Sequence, residues 1–197
     1  MTLNAKRIGL FGGSFDPVHN GHLALANYIV EHSLVDEVVF IPVGNPWQKS
    51  KPIASGLARK AMLELAIGVN PKFSVSAQEI DRAGVSYTID TVREFKVKDQ
   101  LSNFYLLLGV DAASSIPTWH QATELISLVN FLVVAREKET APKFDFDFQF
   151  VNMPLVDISS TKVRNLIAQG LPISHLVPKV VADYIFDHNL YKNSGMR

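Results

Sequence analysis

Residues 7–23, RIGLFGGSFDPVHNGHL, decide the fold. Arg7 to Phe11 is a short apolar run that stops at Gly12-Gly13, the pattern of a buried strand ended by a turn. Leu23 to His32 then takes on helical character, with Leu23, Ala26, Asn27 and Val30 in an imperfect period. The same alternation continues outward. Glu37 to Pro42 (EVVFIP) predicts a strand, and Leu57 to Ile67 a helix with Leu57, Ala61, Met62 and Leu65 on its inner face. Phe73 to Ser76 predicts a short strand and Thr88 to Lys98 a helix. Phe104 to Leu108 (FYLLL) ends at Gly109, and Phe131 to Ala135 (FLVVA) ends at Arg136. Phe144 to Phe150 (FDFDFQF) alternates as a half-exposed strand does, and Pro154 to Tyr191 reads as helical throughout. Strands apolar on both sides, alternating with helices, make a parallel sheet covered on both faces. The expectation is a doubly wound, Rossmann-like α/β domain over residues 1–197 with a helical C-terminal end. Ligands in such sheets bind beyond the carboxyl ends of the strands at the switch point. That singles out Gly12 to His22 and Gly109 to Asp111.

Composition narrows the function classes. The 197 residues carry 19 Lys plus Arg against 19 Asp plus Glu, so no net charge draws the chain to nucleic acid or an anionic membrane. Any phosphate must be held by a few placed residues. With no cysteine there is no disulfide, thiolate metal site or cysteine nucleophile. No apolar run reaches the roughly 18 residues of a membrane span, and no secretory pattern opens the chain. A cytoplasmic protein is expected, with a homo-oligomer left open.

The loop Gly12 to His22 carries the chemistry. Two glycines after a strand let a ligand approach the backbone, although a structural turn explains a glycine pair equally well. His19 and His22 share one face if a helix begins near Asn20, where free N–H groups and the helix dipole favour an anion. Neither a P-loop nor the dinucleotide fingerprint is present. A zinc site lacks both the protease glutamate and any cysteine. Ile158 to Arg164 (ISSTKVR) reads separately as a second helix start, capped by Ser159 or Ser160. Ser160 and Arg164 lie four apart, suited to a polyphosphate, or to nothing more than a capped helix with a solvated Arg.

Together these strings resemble the nucleotidyltransferases with the H-x-G-H signature, and within them the bacterial nicotinate-nucleotide adenylyltransferases. GGSFDPVHNGH, SYTIDTVREF (Ser86 to Phe95), LGVDAASSIPTW (Leu108 to Trp119), ISSTKVR and the ending with Leu176-Val177-Pro178, Tyr184-Ile185 and Leu190-Tyr191 carry the likeness. The resemblance implies a single nucleotidyltransferase domain that joins ATP to nicotinate mononucleotide, releasing pyrophosphate. It implies catalytic roles for His19, His22 and Arg164. ATP would be held by these with Gly12, Gly13, Gly109, Asp111, Arg136, Ser159, Ser160 and Thr161. The mononucleotide would meet Ser14, Phe15, Lys49, Thr88, Trp119 and His120. Lys162 is expected in solvent, and Asp111 either binds a ribose hydroxyl or caps its helix. Magnesium is expected on the ATP phosphates, with no dedicated protein metal site.

Two departures stand out. Pro46-Trp47-Gln48-Lys49 replaces the family's Pro-Pro-His-Lys, and Gln48 can donate but not become charged. Glu137-Lys138 follow Arg136 where the family continues Pro-Gly. Rival readings are an adenylyltransferase for the amide mononucleotide or pantetheine phosphate, and a nucleotide-binding regulator without catalysis. The Arg164 assignment yields a direct expectation. Arg164→Lys keeps the charge but loses the fork across two phosphate oxygens, so kcat/KM should fall by about tenfold or more. Steady-state kinetics of the purified variant check it.

Overall fold

A computed structural model describes residues 5–47, 52–136, 141–154 and 156–192. The chain alternates as the apolar runs predict. It begins β1 (Arg7–Gly13), α1 (Asn20–Glu31), β2 (Glu37–Pro42), α2 (Gly56–Ile67) and β3 (Phe73–Val75). Next come α3 (Gln78–Asp81), α4 (Thr88–Lys98), β4 (Asn103–Gly109), α5 (Val110–Ser115) and a 3-10 turn at Ile116–Thr118. The chain continues through α6 (Ala122–Leu128), β5 (Asn130–Arg136), β6 (Gln149–Met153), α7 (Ser160–Ala168) and α8 (Lys179–Asp187). The six strands form one sheet in the order β3-β2-β1-β4-β5-β6. Every pairing is parallel, with Leu10 opposite both Val39 and Leu106.

Period-two alternation sorts the strand residues onto two cores. Val38, Phe40, Leu107, Leu132 and Val134 join one cluster with residues of α1, α2, α7 and α8. Leu10, Ile41, Phe104, Leu106, Phe131 and Val133 join the other with residues of α4, α5 and α6. The sheet is thus buried on both faces, and its order reverses between β1 and β4. Among the described residues no helix is long and apolar enough to cross a membrane.

Three local expectations are corrected. In α2, Leu57 and Leu65 are 70% and 42% exposed, and the inner face is Arg59, Met62 and Leu63. The stretch from Phe144 is not a strand until Gln149, where pairing with Leu132 begins. Before it, Phe144, Phe146 and Phe148 turn onto one another and onto Phe131, whose ring lies 4.9 Å from that of Phe146. The tail is broken rather than helical throughout. Gly170, at φ +70°, ends α7, and Pro178 caps α8, with loop between.

Arg59 explains the inverted face of α2. Its guanidinium is buried and donates to Ser14 O at 2.8 Å, Val43 O at 2.6 Å and Ala54 O at 3.2 Å. A charge in the core is tolerated because each of the three guanidinium nitrogens finds a carbonyl. Arg59→Met keeps the volume but orphans these acceptors, so it should cost at least about 3 kcal/mol in urea denaturation.

Candidate active site

A cavity of about 810 Å³ opens at the switch point, lined by His19, Gly21 and His22 on one side and Gly109, Asp111 and Trp119 on the other. A second, smaller pocket of about 160 Å³ is lined by Gly12, Gly13, Ser14, Glu79, Thr88 and Trp119, among others. Trp119 belongs to both walls, and the loop between β1 and α1 separates them. The switch-point rule thus selects the two segments expected from the sequence.

His19 caps α1 in extended backbone, and its N–H donates to His22 Nδ1 at 3.2 Å. The two rings stack with centroids 3.6 Å apart. Because Nδ1 of His22 accepts, its hydrogen sits on Nε2 and remains available as a donor. The His22 ring stands edge-on to Phe15 at 4.9 Å. Nδ1 of buried His19 has no hydrogen-bond partner among the described residues. Burial holds the His19 imidazole down to about 4, and burial with the adjacent His19 holds His22 well below its usual range. Both rings are therefore neutral donors near pH 7. A Cβ at Gly21 would stand 3.1 Å from the His19 ring, whereas one at Gly12 would meet nothing, the space a ligand can take.

Four of the loop's carbonyls are drawn into the protein. Gly13 O accepts from Val43 N at 2.9 Å, Ser14 O from Arg59, Asp16 O from Arg164 Nη1 at 2.8 Å and Pro17 O from Ser160 Oγ at 2.9 Å. Negative ends of these peptide dipoles are thus spent on protein donors and do not oppose an anion. Asp16 goes further: its buried carboxylate accepts from Ile53 N at 2.7 Å, Ala54 N at 3.0 Å and Tyr191 Oη at 2.8 Å.

The second helix start docks on the same loop. Ser159 caps α7 by accepting from Lys162 N at 3.2 Å, while Ser160 and Arg164 hold Pro17 and Asp16. Arg164 Nη2 also reaches Thr161 Oγ1 at 3.2 Å. Lys162 is exposed. Asp111 lies exposed in the first turn of α5, and Gly109 caps that helix at the end of β4. Trp119 is half-buried, its Nε1 donating to Ser115 Oγ at 2.8 Å, so its faces remain for stacking. Thr88 is half-buried at the start of α4.

Some expected residues sit elsewhere. The Phe15 ring is 1% exposed in the core, so it can serve a ligand only through its backbone. His120 is exposed and stacks on Tyr87 at 4.2 Å, outside the lining of either cavity. Gln48, Lys49 and the side chain of Arg136 lie outside the described residues. Sequence reasoning missed Asp16 as an anchor, gave Tyr191 no role beyond the matching ending, and missed Arg59 and Glu79 altogether. A charged Arg59 among the apolar residues of α2 was the one available signal.

The depressed imidazoles have a consequence for stability. An unfolded histidine takes its proton near 6.5, whereas folded His19 waits until about 4. Stability is therefore full above about 6.5 and is lost as pH falls toward 4, by on the order of 3 kcal/mol for His19. Denaturation midpoints measured across that window should decline, and His19→Asn should flatten the decline.

The comparisons with known proteins agree with this geometry. The cytidylyltransferase-like family model matches residues 10–166. A protein named "Probable nicotinate-nucleotide adenylyltransferase" from Clavibacter michiganensis is 39% identical over 190 residues, covering 95% of this chain and 94% of the relative. Its namesake from Bacillus pumilus is 38% identical over 189 residues, covering 95% and 100%. The solved Plasmodium falciparum nicotinic acid mononucleotide adenylyltransferase, complexed with NaAD, shares the fold at TM-score 0.79 and 22% identity, covering 95% of this chain and 98% of that one. On its family match and its full-length relatives, this chain belongs to the cytidylyltransferase-like family and, within it, to the nicotinate-nucleotide adenylyltransferases.

Proposed function

We propose that the chain transfers the adenylyl group of ATP to nicotinate mononucleotide, with ATP in the large cavity and the mononucleotide entering from the small pocket. The observation that carries this reading is the single loop that gathers two helix starts, α1 and α7, beside a cavity at the switch point. A phosphate oxygen of the mononucleotide attacks the α-phosphorus in line. The new P–O bond forms as the bond to the bridging oxygen breaks, and that oxygen's electrons leave with pyrophosphate. No protein nucleophile is needed, so catalysis is positioning and charge stabilisation.

His19 and His22 donate to the phosphates as neutral groups, and the α7 start with Thr161 and Arg164 receives the departing pyrophosphate. Ser159 and Ser160 hold that helix start in place by their caps and contacts. Asp111 and Gly109 meet the nucleoside from the opposite wall, and Arg136 at the end of β5 is assigned to ATP on the family likeness. Lys49 is assigned to the mononucleotide on the same ground. Magnesium, if it accompanies ATP, would be held by the phosphates and water rather than by side chains. The described residues bring together no group of three His, Cys, Asp or Glu that would cage it. There it would neutralise phosphate charge. Residues 1–197 act in this reading as one catalytic unit, assigned to the cytoplasm by its use of ATP.

The small pocket gives the reading its acceptor. A flat Trp119 face suits a pyridine ring, and Thr88 with nearby backbone N–H groups suits a carboxylate. An amide NH₂ facing those donors would be left unpaired. Pyrophosphate release measured with a panel of acceptors tests this. Nicotinate mononucleotide should exceed its amide by at least about tenfold in kcat/KM, and Thr88→Val should narrow that ratio. Equal use of both by the parent would refute the acceptor assignment and leave adenylyl transfer standing.

A further inference from the structure

We propose that Glu79 is a positioning residue for the acceptor, locking together the two loop walls of the small pocket. The proposal rests on the assignment of that pocket to the mononucleotide. Glu79 lies in α3, is 8% exposed and lines the pocket, yet phosphoryl transfer gives its carboxylate no task. Its neighbours give it one.

One wall is Val43 to Trp47, and the other is Ser86 to Thr88. They meet at Ser86. Its N–H donates to Asn45 O at 2.8 Å, its Oγ accepts from Asn45 N at 3.0 Å, and Pro46 bridges to Ser86 in parallel. Asn45 N–H thus occupies a lone pair on the Ser86 Oγ, a hydroxyl that helps draw the Glu79 carboxyl down against burial. Thr91 offers a second hydroxyl. Arg82 Nη2 donates to Thr91 Oγ1 at 3.0 Å, and Thr91 Oγ1 in turn donates to Glu79 Oε1 at 2.7 Å, nearer than the 3.4 Å to Tyr87 O. The Thr91 hydroxyl hydrogen thus ends on a group that must accept. A carboxylate does this; an amide presents one oxygen and two hydrogens.

Backbone contact closes the arrangement. A Cβ at Gly44 would come within 1.8 Å of Glu79 O, so the first wall lies directly on α3. Gly44 therefore permits a close approach that any side chain would prevent. Burial pushes the Glu79 carboxyl up, while Thr91, Arg82 and Ser86 draw it down, and Glu94, itself paired to Arg82 at 2.6 Å, pushes it up. Neither wall lines the large cavity, whose described boundary shares only Trp119 with the small pocket. Loosening this lock therefore acts on one substrate.

The test is a split between substrates in steady-state kinetics of the full chain. Glu79→Gln should raise KM for nicotinate mononucleotide by about tenfold, with KM for ATP and kcat within about twofold. Thr91→Val, nearly isosteric, should raise the same KM and serves where Glu79→Gln folds poorly. The double variant should be little worse than Glu79→Gln, because both remove one network. Thr88→Val and Trp119→Ala serve as controls for the pocket itself. If they raise KM for the mononucleotide and neither Glu79→Gln nor Thr91→Val does, the role of Glu79 is overturned. A parallel rise in both KM values marks a general structural role and overturns it too. If the two controls leave that KM unchanged, the pocket assignment fails and takes the proposal with it.

Discussion

Two buried charges of opposite sign, Asp16 and Arg59, tie the loop between β1 and α1 to the chain that leaves β2. They do so through backbone groups. Arg59 takes the carbonyls of Ser14, Val43 and Ala54, and Asp16 takes the N–H groups of Ile53 and Ala54 with the Tyr191 phenol. Isolated, either charge would be costly in the core. With several hydrogen bonds each, they fix both ends of the β2–α2 connection to the phosphate loop. Two further elements at the switch point are joined to this clamp. The α7 start is held by Asp16 O and Pro17 O, and the end of the chain is drawn in by Tyr191.

The parallel sheet was legible because strands buried on both faces leave plain apolar runs such as Phe104 to Leu108 and Phe131 to Ala135. The site was legible where chemistry is local: His19 and His22 in one helical turn, Ser159 to Arg164 at another. The clamp was not. Arg59 reaches Ser14 across 45 positions and Tyr191 reaches Asp16 across 175, and no local spacing announces such pairs. Periodicity also assumes that leucine faces inward, which is why α2 was read with the wrong face while its arginine carried the contact. At Phe144 to Phe148, alternation was real but had no strand beside it to pair with, so the aromatics closed on one another instead.

A neutral chain meets polyphosphate here with oriented dipoles more than with charge. The histidines are held neutral by burial, four of the loop's carbonyls are turned to protein donors, and Arg164 is the half-buried cation joined to that loop. Neutral donors demand less desolvation than buried ammonium groups would, and they are already in place when phosphate arrives. The same arrangement leaves Nδ1 of His19 without a hydrogen-bond partner among the described residues. Burial itself sets the pH range over which His19 stays neutral.

The two cavities divide the reaction geometrically. Gly12, Gly13 and Ser14 face the small pocket, and His19, Gly21 and His22 face the large one, so in the proposed reading a single loop would separate acceptor from donor. In-line displacement needs the attacking oxygen on one side of the α-phosphorus and the leaving oxygen on the other. A loop whose first half borders one substrate and whose second half borders the other sets that line by its own backbone. Asp16 couples the two sides, since it holds Arg164 by its carbonyl and, by its carboxylate, Ile53 next to the pocket residue Pro52. In the proposed reaction, the clamp at the switch point would therefore also align attack with departure.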